Sequence, residues 1–161
     1  MPTRQTSPQD FDAVLNLPFG RFGIRVAGDT VSEMVFLPQD TPEQAPCSPF
    51  AAAVAEQIRN WIASPQHALA LPLAARGTAF QRRVRDALLS IPPGEIRTYG
   101  EIARLLESAP RAVGQACGAN PFPLAVPCHR VVAANGIGGF ANARDGYLIA
   151  AKRWLLNNEM P

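Results

Sequence analysis

Residues 98–119 read TYGEIARLLESAPRAVGQACGA, and this stretch decides the fold of the second half of the chain. Thr98 is of a residue type that caps helix N-termini, and apolar residues follow it at helical spacing as far as Leu106. Pro110 suits the first turn of a helix, so a second helix is predicted over residues 111–119. Two short helices joined by a tight turn predict a helix-turn-helix.

The rest of the second half is also patterned as helix. Thr78 is the predicted N-cap of a helix over residues 79–89, and a Pro-Pro-Gly run at 92–94 stops it. A last helix is predicted over residues 148–157. The helix-turn-helix is therefore expected to sit in a mainly helical subdomain.

The first half carries strand signals instead. Residues 19–37 read as two strands around a Gly-Asp turn, which is the pattern of a hairpin. Ser48 is placed to cap a helix over about residues 49–62, and the leucine-rich residues 69–73 predict a further short strand. These elements predict a small α+β subdomain.

The predicted fold class is α+β, with a boundary that the charge distribution also marks. Residues 1–75 carry four Arg against seven acidic residues, a net charge of −3, whereas residues 76–161 carry ten Arg and one Lys against six acidic residues, a net charge of +5. Arg suits phosphate and base contacts because its guanidinium is a planar fork of donors. The second half is therefore the candidate for binding a polyanion.

The three cysteines, Cys47, Cys117 and Cys128, include no CxxC pair. An odd count without that spacing fits neither a disulfide framework nor a structural zinc site, so we expect a reducing compartment and no metal. Cys47 and Cys117 are interpreted as buried apolar side chains. No stretch has the length and hydropathy of a signal peptide or membrane span, and we expect a cytoplasmic protein, or a nuclear one in a eukaryote.

Cys128 lies in the sequence PCHRVV at residues 127–132. A thiol is a strong nucleophile only as the thiolate, and its ordinary pKa leaves little thiolate at neutral pH unless a base or a positive charge assists. His129 and Arg130 are candidates for that help. We therefore interpret Cys128 as a nucleophile.

The chain resembles the O6-alkylguanine-DNA alkyltransferases over about residues 78–161. The resemblance rests on motifs in the family's order: Phe80-Gln81, Ile91-Pro92-Pro93-Gly94-Glu95, Thr98-Tyr99-Gly100, Arg111-Ala112-Val113-Gly114, Asn120-Pro121, Val126-Pro127-Cys128-His129-Arg130-Val131 and Lys152-Arg153-Trp154-Leu155-Leu156 followed by Glu159. It implies a strand-rich, ribonuclease-H-like subdomain over residues 1–75. It also implies a helical subdomain with a winged-helix-like helix-turn-helix over residues 76–161.

The resemblance implies irreversible transfer of an alkyl group from O6 of guanine, and from O4 of thymine, to Cys128, without a cofactor. His129 would take the thiol proton through a water molecule, and Glu159 would orient His129. Tyr99 would donate a hydrogen bond or proton to the base, and Asn120 would hold the turn that carries Cys128. Each protein molecule would react once.

Double-stranded DNA containing alkylated guanine is the implied partner, bound through its minor groove by a monomer, with cooperative assembly on DNA left open. Arg111 would intrude into the base stack as the target nucleotide leaves it, because O6 chemistry requires base flipping. Ala112, Gly114 and Gln115 would lie along the groove, and Arg130 is placed among the DNA contacts.

The implied base pocket includes Val131, Phe140 and Ala141. Phe140 and Ala141 replace a tyrosine and a serine-like residue of the family pattern. The stretch 99–111 is about two residues shorter than that pattern, and the loop 141–147 is longer, so the range of accepted alkyl groups does not transfer.

Three other classes of protein fit parts of this pattern. An alkyltransferase-like damage binder keeps the helix-turn-helix but lacks the nucleophile, and Cys128 argues against it. A transcriptional regulator gives no reason for Cys128 followed by His129. A Cys-His hydrolase needs an oxyanion-hole signature and a separate catalytic histidine, which are missing from the sequence.

Overall fold

The computed structural model describes residues 11–140 and 146–160. Its first part is an antiparallel sheet of three strands, β1 (Ala13–Leu17), β2 (Gly20–Ala27) and β3 (Thr30–Leu37). The strands lie in the order β1-β2-β3. The hairpin turn between β2 and β3 contains Gly28, whose φ of 60° is in the left-handed region that glycine adopts without strain.

Helix α1 (Pro49–Ala63) packs on this sheet. The Ser48 side chain accepts a hydrogen bond from the Ala51 backbone N–H, which confirms the predicted N-cap. Val54 and Ile58 face the sheet and are fully buried. Burial of this apolar stripe is what stabilises a helix that carries no charged residues at its ends.

The described residues of the second part form four α-helices and a short parallel strand pair. The helices that start at Ala79 and Tyr99 each begin with a capping box, in which a threonine and the residue three positions later bond each other's backbone. The elements are α2 (Ala79–Leu89), β4 (Arg97–Thr98), α3 (Tyr99–Leu105), α4 (Pro110–Gly118), a 3-10 turn (Cys128–Arg130), β5 (Val131–Val132) and α5 (Gly146–Glu159). None of the described helices has the length and hydropathy to cross a bilayer.

The α+β class, the hairpin, the helix-turn-helix and all five helices are confirmed, with ends shifted by two residues at most. Strand β1 was not predicted, because five residues beside a proline are too short a run for periodicity to classify. The predicted strand at 69–73 is wrong: Leu73 forms only an isolated bridge to Val31. Pro72 has no N–H to offer a ladder. The ribonuclease-H-like and winged-helix-like descriptions stay predictions.

The two parts share one continuous apolar core. The ring of Phe36 on β3 lies 5.1 Å from that of Phe140, centroid to centroid. The backbone N–H of Met34, also on β3, donates to the Pro121 carbonyl at 2.9 Å. Strand β3 is thereby held against the segment that leads to Cys128.

Cys47 differs from its predicted environment. Its side chain is exposed, and its thiol donates to Asp12 Oδ1 at 3.1 Å. That hydrogen bond to a carboxylate raises the pKa of the Cys47 thiol. Cys117 is buried, as predicted.

Candidate functional site

The 3-10 turn places Cys128 directly after Pro127, at the end of the connection from α4. Its backbone N–H donates to the Val126 carbonyl at 2.8 Å, and its carbonyl accepts from Val131 N–H. Only 5% of Cys128 is exposed. The sulfur is therefore held by backbone hydrogen bonds on both sides rather than carried on a free loop.

Asn120 forms hydrogen bonds within the segment that precedes this turn. Its Nδ2 donates to the Val126 carbonyl at 3.0 Å, and its Oδ1 accepts from Phe122 N–H at 3.0 Å. Between them, Leu124 adopts a φ of 76°, which is unusual for a side chain of its size. Such strain persists only where the surroundings over-determine the backbone, and Asn120 supplies part of that constraint.

His129 and Glu159 form a buried pair behind Cys128. His129 Nε2 lies 2.5 Å from Glu159 Oε1, with 0% and 2% of the two residues exposed. A carboxylate only accepts, so Nε2 carries the hydrogen and Nδ1 keeps its lone pair. Nδ1 is buried and has no hydrogen-bond partner among the described residues. The unpaired nitrogen is thus the one able to accept a proton.

The electrostatics of this pair favour neutral imidazole. Burial lowers the pKa of His129, and the carboxylate of Glu159 raises it by less. Burial raises the pKa of Glu159, but hydrogen bonds from His129 and Arg130 outweigh burial and hold it at about 2. At neutral pH the array is therefore a neutral base held by an ionised carboxylate.

Arg130 is buried, so the prediction that it contacts DNA is wrong. Only 5% of it is exposed, and its Nε and Nη2 donate to the two Glu159 oxygens at 2.8 and 3.0 Å. Its Nη1 donates to the Ile91 carbonyl at 2.7 Å. A guanidinium matched to a buried carboxylate in this way has no donor directed at DNA.

The thiol itself is protonated at rest. Burial raises the pKa of Cys128, while a hydrogen bond with Asn120 and the positive charge of Lys152 oppose that rise. A protonated thiol needs a nearby base before it can attack. His129, the next residue in the chain, has a neutral imidazole whose Nδ1 has no hydrogen-bond partner among the described residues.

Lys152 on α5 is a functional candidate that the sequence analysis missed. It is fully buried, and its Nζ donates to the carbonyls of Val131, Ile137 and Gly139 at 2.7, 2.7 and 2.8 Å. Burial lowers the pKa of Lys152 to about 8, so the ammonium is still charged at neutral pH. It ties α5 to β5 and to the segment that follows β5.

A sequence signal for Lys152 was available. On a helix, positions 149, 152, 155 and 159 share one face, and the structure buries all four. A lysine on an apolar face is almost never buried without partners. The position therefore indicated a buried polar role.

Tyr99 lies beside this lysine. Its hydroxyl donates to the Gly139 carbonyl at 3.2 Å, and the Lys152 ammonium lies 5.8 Å from its ring centroid. Burial raises the pKa of Tyr99 to about 12. The hydroxyl therefore keeps its proton, which the Gly139 carbonyl accepts in this structure.

A cavity of about 370 Å³ opens onto Cys128. Its wall draws side chains from both parts of the chain, among them Met34, Phe36, Cys117, Asn120, Cys128 and Phe140. This is within the size range of small-ligand pockets, and the lining combines apolar side chains with polar ones such as Asn120.

Of the predicted pocket residues that the structure describes, Phe140 lines this wall and Val131 does not. Val131 is fully buried, and its backbone N–H and carbonyl are bonded to Cys128 and Lys152. Ala141 and residues 142–145 of the predicted long loop lie outside the described residues.

The exposed face of α4 carries the predicted DNA contacts. Arg111 stands in its first turn and is exposed, as is Gln115, and Ala112 is partly exposed. A methyl group added at Gly114 would meet nothing within 4 Å. Packing within the described part of the chain therefore does not require the small residue there.

Comparison with known proteins agrees with this geometry. Residues 79–161 match the family model described as 6-O-methylguanine DNA methyltransferase, DNA binding domain. A methylated-DNA–protein-cysteine methyltransferase from Methanosarcina mazei is 37% identical over 134 residues, covering 77% of this chain and 85% of that protein. A probable enzyme of the same name from Acanthamoeba polyphaga mimivirus is 48% identical over 91 residues, but the match spans only 58% of its length.

A solved structure extends the similarity to the whole fold. The OGT of Mycobacterium tuberculosis, solved in complex with DNA, superposes with a TM-score of 0.75 at 36% identity. The match covers 91% of this chain and 90% of that one, so it includes the N-terminal sheet that the family model leaves out. Sequence and fold agree, and the chain belongs to the family of O6-methylguanine-DNA methyltransferases.

Proposed function

We propose that this chain repairs DNA by transferring the alkyl group of O6-alkylguanine to its own Cys128. The observation that carries the proposal is the buried array of Cys128, His129 and Glu159 at the wall of a cavity. Membership of the family supports DNA as the partner. The action on O4 of thymine is part of the same proposal.

In the proposed reaction, His129 Nδ1 takes the Cys128 proton through one water molecule. The thiolate attacks the alkyl carbon, so an S–C bond forms while the C–O bond to guanine breaks and its electron pair stays on O6. Tyr99 exchanges its hydrogen bond to the Gly139 carbonyl for one to that oxygen as the negative charge develops. Because the product is a thioether, each molecule reacts once.

Lys152 and Asn120 act as positioning residues in this proposal. Three carbonyl contacts fix the Lys152 ammonium near the sulfur, where its charge favours the thiolate over the thiol. Asn120 holds the strained segment before Cys128 and also hydrogen-bonds the thiolate form. Both effects oppose the cost of ionising a buried sulfur.

The two parts of the chain have different roles in the proposed reaction. Residues 76–161 supply the acceptor, the base and the DNA-binding helix, whereas residues 1–75 supply one wall of the cavity through β3. In the proposed complex α4 lies in the minor groove, with Arg111 filling the gap left by the extruded nucleotide. Ala112, Gly114 and Gln115 then line the contact with the groove.

Replacing Arg111 by Ala is expected to slow transfer from duplex DNA while sparing transfer from single strands. Extrusion of a stacked base costs a few kcal/mol only in the duplex, so we expect about a tenfold fall in the ratio of duplex to single-strand rate. Single-turnover rates on both substrates measure that ratio. Arg104→Ala, which removes an exposed charge from α3, serves as the control and should keep the parent ratio. A parent-like ratio in Arg111→Ala would count against the intruding role.

Duplex oligonucleotides with and without O6-[³H-methyl]guanine test the function itself. We expect radiolabel to appear on the protein, with at most one methyl group per chain. Damage-selective binding without label transfer would identify a damage binder instead. Binding that follows sequence and ignores damage would identify a regulator.

A further inference from the structure

Arg76 stands at the rim of the cavity that contains Cys128. It lies in the segment joining α1 to α2, is exposed, and forms part of the cavity wall. Its Nη1 donates to the Ser32 carbonyl at 2.8 Å. Arg76 lies outside the helix-turn-helix, and this hydrogen bond holds its side chain at the cavity that contains Cys128.

The charge of Arg76 is available at that rim. The acidic side chain in the same wall, Glu33, forms an ion pair with Arg25. Within the part of the chain that the structure describes, Arg76 has no carboxylate partner. A guanidinium has five N–H donors, and the Ser32 carbonyl takes one, so donors remain for an external acceptor.

The backbone of Arg76 is also held in place. Arg85 Nη2 donates to the Arg76 carbonyl at 2.9 Å, and the Arg85 guanidinium lies 5.2 Å from the Phe122 ring centroid. Phe122 lies in the segment between Asn120 and Cys128, and its backbone N–H donates to Asn120 Oδ1. Arg76 therefore keeps a defined position relative to the Cys128 turn.

A nucleotide whose base enters this cavity brings its sugar and flanking phosphates to the cavity mouth. Phosphate oxygens are anionic acceptors, and Arg binds them through parallel N–H donors. We propose that Arg76 binds a DNA backbone phosphate next to the extruded nucleotide. This inference rests on the proposed function and adds a DNA contact carried by the segment between the two parts of the chain.

The test compares Arg76→Gln and Arg76→Met with Arg76→Lys, each combined with Cys128→Ala so that binding is measured without reaction. The affinity for duplex DNA containing O6-methylguanine is measured at several salt concentrations. Loss of one phosphate contact should lower the slope of log affinity against log salt by about 0.9 and weaken binding about tenfold. Lys keeps the point charge and should restore most of both. Arg59→Gln, which removes an exposed charge from α1 outside the cavity wall, should match the parent.

Two outcomes overturn the inference: a parent-like salt slope in both neutral variants, or a slope in Arg76→Lys as low as theirs. The second would mean that Arg76 acts through its bond to Ser32 rather than through charge. Label transfer by the parent protein is measured beside these variants. If the parent transfers no label, the proposed function fails; if it does, an unchanged slope counts against Arg76 alone.

Discussion

The Cys128→Ala protein is expected to transfer no alkyl group while still binding lesion-containing duplex. The substitution removes the sulfur that accepts the alkyl group, so we expect no residual transfer. DNA binding should stay within about threefold of the parent, because the proposed phosphate and groove contacts come from α4 and the rim, and a buried one-atom change leaves them in place. Rapid-quench transfer and equilibrium binding measure the two properties.

Cys117→Ala is the matched control, because Cys117 lies in the same cavity wall. Burial raises the pKa of Cys117 to about 12, so its sulfur stays protonated and unreactive at neutral pH. We expect Cys117→Ala to transfer one methyl group per chain. Transfer retained in Cys128→Ala, or lost in Cys117→Ala, would contradict the assignment of the nucleophile.

Glu159→Gln should cause the largest loss of stability among single substitutions at the site. The carboxylate receives hydrogen bonds from His129 and from two nitrogens of Arg130, and all three residues are buried. Removing one partner of a buried ion pair leaves the other uncompensated, which costs about 3–5 kcal/mol of unfolding free energy. Transfer should also fall about 100-fold, because His129 loses the group that orients it.

Urea unfolding at neutral pH measures the stability difference. Glu95→Gln is the control, because it breaks an exposed pair with Arg97 and should cost less than about 1 kcal/mol. The pKa of Glu159 lies near 2 in the folded protein and at its ordinary value of 4.5 when unfolded, so its contribution is complete above that value and is lost as pH falls toward 2. The difference between parent and variant should therefore shrink in acid. Equal stability at neutral pH would contradict the buried network.

The fold was predictable where its determinants are local. The hydroxyls of Thr78 and Thr98 each accept a hydrogen bond from the backbone N–H three residues later. A few neighbouring residues therefore suffice to predict where α2 and α3 begin. The Gly-Asp turn between β2 and β3 is equally local. Strand β1 is defined by its pairing with β2. A short apolar run in the sequence does not predict such a pairing, because it does not identify the partner strand.

The site was harder to predict because its partners are distant in the chain. The bond between His129 and Glu159 spans 30 residues, and only family resemblance suggested it. Arg130 was assigned to DNA because charge in a sequence does not reveal a buried carboxylate 29 residues away. Lys152 was missed although its place on an apolar helix face was visible, because its three carbonyl partners come from the 131–139 segment.

The central claim is that the Cys128 sulfur is the single, permanent acceptor of a DNA alkyl group. The most direct test is the intact mass of the parent protein after incubation with excess duplex containing O6-methylguanine, followed by peptide mapping. The account predicts a gain of one methylene mass per chain, found on the peptide that carries Cys128, with no further gain over time. An unchanged mass, or a methyl group located on another residue, would contradict it.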